Sequence, residues 1–87
     1  MNVTYEKFST SSMKVRILYI KKLLNTLNYN LIETPIADKQ YKKALKKFQE
    51  TNNFGGNCIV NKDVFNVFIS KVDNHNDIWK TLMKEGK

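Results

Sequence analysis

Apolar side chains recur at three- and four-residue steps along most of this chain, and that spacing constrains its fold more than any other feature. The first stripe of this kind, between Met13 and Asn28, consists of Ile17, Ile20, Leu23, Leu24 and Leu27. Candidate N-caps precede the stripe at Thr10, Ser11 and Ser12. Asparagines at 28 and 30 follow it and tolerate the left-handed conformation that ends a helix. The pattern predicts an amphipathic helix.

Two further stripes of the same kind follow, each preceded by a residue that favours helix N-caps. Asp38 precedes the second stripe and Asn61 the third. The apolar positions of the second are Tyr41, Ala44, Leu45 and Phe48; those of the third are Val64, Phe65, Phe68, Ile69 and Val72. Residues 54–57 are loop-forming. A last short helix is expected from Asp77 to about Lys84.

The size of the chain favours one domain built around one core. A chain of 87 residues buries only about 60 to 65% of the surface that it exposes when unfolded. With 41% hydrophobic and 26% charged residues, its composition is that of an ordinary globular domain. No internal repeat or low-complexity linker separates the helical stripes. The sequence therefore predicts a single all-α bundle.

The net charge of +7 arises from fourteen lysines and one arginine, Arg16. Because bidentate base and phosphate contacts favour arginine, this balance argues against sequence-specific nucleic-acid recognition. Anionic surfaces would still attract the chain non-specifically. Five lysines surround the second stripe: Lys39, Lys42, Lys43, Lys46 and Lys47. They form either a solvated helix face or a docking surface for polyanions.

The sequence offers no constellation of catalytic or metal-binding groups. Cys58 and His75 lack the third orienting group that a nucleophilic pair needs, and one Cys with one His is too few ligands for a metal. Asp73 and Asp77 flank an expected turn, where aspartate commonly caps. We therefore expect no catalytic residue, no metal, no cofactor and no enzymatic activity.

Neither an export signal nor a membrane span is expected. Charged and polar residues interrupt the first fourteen positions, and no segment approaches the roughly 18 apolar residues of a span. The sequence thus predicts a chain that is cytoplasmic as synthesised. A cell wall, a virion or a secretion apparatus stays open as its final site.

The order of the residues resembles the type 1 peptidoglycan-binding domain, a three-helix module, without gaps from about Ile17 to Phe68. In the first family signature an apolar residue is followed, three positions later, by Leu-Gln-x-x-Leu-x-x-Leu-Gly-Tyr; Ile17 and residues 20–29 (Ile-Lys-Lys-Leu-Leu-Asn-Thr-Leu-Asn-Tyr) are similar to it. The second, Ala-Val-x-x-Phe-Gln-x-x-x-Gly-Leu, resembles residues 44–54 (Ala-Leu-Lys-Lys-Phe-Gln-Glu-Thr-Asn-Asn-Phe). The third, Asp-Gly-x-Val-Gly-x-x-Thr-Trp-x-x-Leu, resembles residues 57–68 (Asn-Cys-Ile-Val-Asn-Lys-Asp-Val-Phe-Asn-Val-Phe).

This resemblance implies a small three-helix bundle of the peptidoglycan-binding type, with an additional short C-terminal helix. The bundle would cover residues 12–72, with residues 1–11 as an N-terminal extension and residues 73–87 as a C-terminal helical extension. The chain departs from the family where Thr34-Pro35 and Asn57-Cys58 replace its two Asp-Gly loops.

The function that the resemblance implies is non-catalytic binding of peptidoglycan or another bacterial cell-wall component. Candidate ligand-binding residues lie at the helix ends and in the loops: Tyr29, Asn30, Gln49, Asn53, Asn57 and Lys62. Gln49 either braces a loop by hydrogen bonding or contacts the ligand. Tyr29 either packs against its loop or offers an exposed aromatic ring.

A second hypothesis is a structural or adaptor subunit of a phage tail, baseplate or contractile injection machine, which would bind protein. The altered Asp-Gly loops favour it. Its candidate partner-binding residues belong to the last helix: Ile78, Trp79, Leu82 and Met83. The alternative for these residues is packing against the core. A third hypothesis, non-specific nucleic-acid binding through the lysines, requires an affinity that falls steeply with salt.

Overall fold

A computed structural model of the protein describes residues 2–85, with the side chain of residue 85 excepted. This part of the chain contains five helices and no strand. The helices are α1 (Tyr5–Ser9), α2 (Met13–Thr26), α3 (Lys39–Thr51), α4 (Lys62–Lys71) and α5 (His75–Glu85). The predicted all-α fold is confirmed. None of the helices in the described range is long and apolar enough to cross a membrane.

Side-chain oxygen atoms cap the first four helices. Each accepts a hydrogen bond from the backbone N–H three residues later, which satisfies a group that the helix itself leaves unpaired. The capping residues are Thr4, Ser12, Asp38 and Asn61. The predicted caps at Asp38 and Asn61 are confirmed, and Ser12 is the N-cap among the three candidates before α2.

Asparagines in the left-handed conformation follow α2 and α3. Asn28 has φ of 72°, Asn30 of 56° and Asn53 of 67°. Asparagine adopts this conformation more readily than most residues with a side chain, since its short polar side chain bonds locally. The predicted end of the first long helix near Asn28 is therefore confirmed, with the last helical residue at Thr26.

The core lies where α2, α3, α4 and α5 meet. Helix α5 packs along α2, while α3 contacts α2 and α1 contacts α4. The rings of Phe48 and Phe68 stack with their centroids 4.0 Å apart, which joins α3 to α4. Tyr19 and Trp79 meet edge to face at 4.9 Å and join α2 to α5. Such aromatic pairs add to the stabilisation that burial alone gives.

The N-terminal segment is part of the packed body as far as the structure describes it. Residues 1–11 are predicted to be an N-terminal extension; within this range α1 forms, and Phe8 is only 3% exposed. Its ring lies 5.2 Å from that of Phe65. The backbone N–H of Val3 donates to Asn76 Oδ1 at 2.8 Å, which ties the segment to α5. Five residues are too few to show a helical period, so the pattern did not reveal α1.

Helix α5 supplies core residues as well as surface. It begins at His75, two residues before the predicted start, and the carbonyl of Asn74 accepts from the N–H of Ile78. Trp79 and Leu82 are buried, whereas Met83 is 38% exposed. Packing against the core is thus the arrangement that the structure shows for Trp79 and Leu82.

Adjacent residues of α5 provide a matched test of this packing. Leu82→Ala should lower the free energy of unfolding by about 2 to 5 kcal/mol, because a buried side chain is lost and a cavity remains. Met83→Ala should change it by no more than about 0.5 kcal/mol. Urea titration followed by the fluorescence of Trp79 measures both. Equal losses for the two variants would contradict the assigned burial.

Candidate functional site

Polar side chains of α2 fasten the loop that leads from α2 to α3. The Lys21 side chain is fully buried, and its Nζ donates to Thr34 Oγ1 at 3.1 Å and to Asp38 Oδ2 at 3.2 Å. The same Nζ lies 5.9 Å from the centroid of the Tyr41 ring. A buried ammonium group needs such partners, since an unpaired charge in the interior is costly. This cluster fixes the start of α3 against α2.

Lys22, the residue after Lys21, and Asn25, one helical turn further along α2, hold the middle of the same loop. Asn25 bonds both the N–H and the carbonyl of Leu31 with its side-chain amide. Its Nδ2 also donates to Glu33 at 3.0 Å, and Lys22 Nζ donates to the other Glu33 oxygen at 2.9 Å. The hydrogen bond from Asn25, followed by that from Lys22, lowers the pKa of Glu33 below its usual range.

Asp38 links the buried ammonium group to the helix cap. One carboxylate oxygen accepts from the Tyr41 N–H at 2.9 Å, and the other accepts from Lys21. The backbone N–H of Tyr41 and then the ammonium group of Lys21 lower the pKa of Asp38. Both contacts stabilise the charged carboxylate over its protonated form.

The loop held in this way forms a surface groove against α3, which we call the Tyr29 groove. Its volume is about 260 Å³, and Tyr29 and Lys47 also border an adjoining hollow. The groove is lined by Tyr29, Asn30, Leu31, Gln40, Lys43, Ala44 and Lys47. Tyr29 is half-buried, so its ring forms a wall of the groove and also packs on the core. The groove thus combines an aromatic ring, two amides and two ammonium groups.

Lysines make the exposed side of α3 strongly positive. At about 100° per residue, the five lysines of α3 fall on one continuous face, and all five are exposed. Among the residues that the structure describes, none of them has a carboxylate within 4 Å, because the two ion pairs are Lys21–Asp38 and Lys22–Glu33. The Tyr29 groove therefore opens beside uncompensated positive charge.

Gln49 lies on the side of α3 that faces away from the Tyr29 groove, and it braces the loop before α4. It is fully buried, and its Nε2 donates to the Ile59 carbonyl at 2.9 Å and to Asn57 Oδ1 at 3.4 Å. Its Oε1 accepts from the N–H of Cys58 at 2.9 Å. These bonds hold Cys58 at φ of 60°, a conformation that non-glycine residues rarely adopt. Loop bracing is one of the two roles predicted for Gln49. It uses both the nitrogen and the oxygen of the side-chain amide, which lies in the interior, away from the surface.

The six sequence-predicted ligand residues do not form one site. Tyr29 and Asn30 share the Tyr29 groove, whereas Gln49 is bonded to Asn57. Since Lys47 and Gln49 are two residues apart on a helix, their side chains point about 160° away from each other. Asn53, Asn57 and Lys62 are exposed but do not line the Tyr29 groove.

Lys43, Lys47 and Gln40 were not among the predicted ligand residues, although they line the Tyr29 groove. The sequence shows Lys43 and Lys47 four residues apart, as part of the lysine face of α3. Their place beside Tyr29 depends on the path of the loop, which is set by bonds from α2 and has no local sequence signal.

Metal-binding groups are not clustered in residues 2–85. No three His, Cys, Asp or Glu side chains in this range lie where they could hold a metal ion. The Cys58 thiol lies 3.4 Å from the carbonyl of Lys42, and Nδ1 of His75 lies 2.6 Å from the carbonyl of Val72. The Cys58 and His75 side chains each contact a backbone carbonyl, and no hydrogen bond joins the two side chains.

Comparison of the chain with protein-family models, with curated proteins and with solved structures gave no match.

Replacing the loop-bracing glutamine tests its structural role. Gln49→Ala should lower the free energy of unfolding by about 1 to 3 kcal/mol, because the Cys58 N–H and the Ile59 carbonyl lose their partner. Hydrogen exchange at the Cys58 amide should accelerate with it. Gln40→Ala, on the exposed side of the same helix, should stay within about 0.5 kcal/mol. A Gln49→Ala protein of unchanged stability would show that the brace is dispensable.

Acid titration tests the link between Lys21 and Asp38. The folded-state pKa of Asp38 is depressed below the ordinary value of 3.8, so its contribution to stability is present above that value and is lost as pH falls through the folded-state pKa. Asp38→Asn should be less stable than the parent at pH 7 and should lose less stability on acidification. Glu33 is present in both proteins, so its own titration cancels. Parallel stability curves would contradict the assignment.

Proposed function

We propose that this chain is a non-catalytic binding module that recognises peptidoglycan or a related bacterial cell-wall polymer at the Tyr29 groove. The observation that carries the proposal is the meeting of an aromatic ring with the ammonium groups of Lys43 and Lys47 in one groove. A ligand that combines sugar rings, amides and carboxylates has the complementary chemistry. Peptidoglycan strands with their peptide stems are such a ligand.

Each part of the groove has a role in this proposal. The face of Tyr29 packs against the apolar face of a sugar ring, as aromatic rings pack against other flat apolar surfaces. Lys43 and Lys47 pair with stem carboxylates, and charge-assisted hydrogen bonds are the stronger class. The side-chain amides of Asn30 and Gln40 both donate and accept, which suits hydroxyl and peptide groups of the ligand.

The sequence resemblance supports the same proposal. Its most specific part, residues 44–54, contains Phe48 and Gln49, and both residues make packing or hydrogen-bond contacts inside this fold. Phe48 stacks on Phe68, and Gln49 braces the loop before α4. A module of this family would need the same two residues to hold its fold while other positions contact the ligand.

The adaptor hypothesis is less well supported by the surface that it would use. Of its four candidate residues, Trp79 and Leu82 are 8% and 3% exposed. A partner could reach them only if α5 left α2. Met83 and Ile78 alone would give a small contact, far below the area of a stable interface.

Sedimentation with insoluble peptidoglycan at physiological salt tests the proposal. The parent should bind saturably to peptidoglycan freed of teichoic acid. Lys43→Gln with Lys47→Gln should weaken binding about tenfold, since two exposed charge pairs of about 0.7 kcal/mol each are lost. The matched control, Lys71→Gln with Lys80→Gln, removes the same charge from exposed residues outside the groove and should bind as the parent does.

Three outcomes would count against peptidoglycan as the ligand. Equal weakening by both pairs of substitutions would indicate non-specific attraction to the net charge. Absence of binding to peptidoglycan from several bacteria, by a protein that circular dichroism shows to be folded, would exclude a wall-binding module. Binding that requires teichoic acid would show that the ligand is this anionic wall polymer and not peptidoglycan.

A further inference from the structure

An apolar groove with an arginine in its wall lies on the side of the molecule formed by α1, α2, α3 and the loop before α4. We call it the Arg16 groove; its volume is about 340 Å³. Phe8, Ile17 and Tyr41 are buried and form its floor. It has no lining residue in common with the Tyr29 groove.

The rim of the Arg16 groove exposes large apolar side chains. Met13 is 67% exposed and Ile59 is 62% exposed, and both line the groove. Single exposed apolar residues are ordinary, but two of them beside an apolar hollow form a continuous patch of the kind that marks interaction sites. Burial raises the pKa of Tyr41 to about 12, so the floor carries no charge at neutral pH.

Arg16 is the one charged residue that lines this groove, and the described part of the chain gives it no acidic partner. Its Nε is shielded from solvent and makes no hydrogen bond. Neither of the two ion pairs in that part of the chain involves Arg16. The shielded Nε is out of reach of an incoming group, but the Arg16 side chain as a whole is only half-buried and its charge has no acidic partner in the described residues. A carboxylate placed in the groove by another molecule would compensate that charge.

We infer that the Arg16 groove docks a segment of an acidic partner protein, which inserts large apolar side chains between Met13 and Ile59 and pairs a carboxylate with Arg16. The charge of the two sides is complementary, since this chain carries +7 and its groove has a guanidinium but no carboxylate. Arginine beside apolar side chains is also the composition that protein interfaces favour. The inference concerns a different surface from the proposed wall-binding site and stands without it.

Selection of displayed random linear peptides on the immobilised full chain tests this inference. The selected peptides should combine large apolar residues with Asp or Glu. Their affinity for Arg16→Gln should fall about tenfold, because a charge-assisted pair is lost. Ile59→Ser, which changes an exposed residue and leaves the core intact, should also weaken them. Lys71→Gln removes the same unit of charge elsewhere and should bind as the parent does.

Three results would overturn the inference. The first is a selection dominated by acidic peptides without apolar residues, whose binding Lys71→Gln weakens as much as Arg16→Gln does. Apolar peptides without a carboxylate that are indifferent to Arg16→Gln would remove the role of the arginine. Recovery of no peptide above background would show that the groove does not dock a protein segment. Circular dichroism of each variant confirms that it is folded.

Discussion

The hydrogen bonds of the buried Lys21 ammonium group determine how α2, α3 and the loop between them are placed. A charge with no exposed surface must find acceptors, and here they come from Thr34 and Asp38 in the next part of the chain. Because Asp38 also caps α3, the same contact sets where α3 begins and holds it against α2. The loop between these helices is then confined further by Asn25. Because the charge of Lys21 needs acceptors, it fixes the position of α3 relative to α2.

Both candidate binding surfaces follow from this placement of α3. The confined loop brings Tyr29 beside Lys43 and Lys47, and the start of the helix brings Tyr41 to the floor of the Arg16 groove. The two grooves differ in chemistry, because one presents ammonium groups and amides and the other an apolar hollow with a guanidinium group. Because no residue lines both grooves, the two proposals concern separate surfaces.

Local signals in the sequence predicted the four longer helices. Helix α1 was missed because five residues are too few to show a helical period, and the other features that were missed depend on non-local contacts. The caps at Asp38 and Asn61 and the apolar stripes need only neighbouring residues to act, so they could be recognised in advance. The burial of Lys21 could not be, since its acceptors lie 13 and 17 residues away. The role of Gln49 stayed open for the same reason, because it depends on a loop eight to ten residues further on. Of the residues that line the Tyr29 groove, only Tyr29 and Asn30 were among the predicted ligand residues, because the place of the others depends on the path of the loop.

The central functional claim is that a cell-wall ligand occupies the Tyr29 groove. Amide chemical shifts of the isotope-labelled chain, recorded during titration with soluble peptidoglycan fragments that retain their peptide stems, measure this most directly. The account predicts saturable changes at Tyr29, Asn30, Lys43 and Lys47, with the amides of the Arg16 groove unaffected. Changes centred on any other surface, or none at fragment concentrations far above those of the protein, would contradict it.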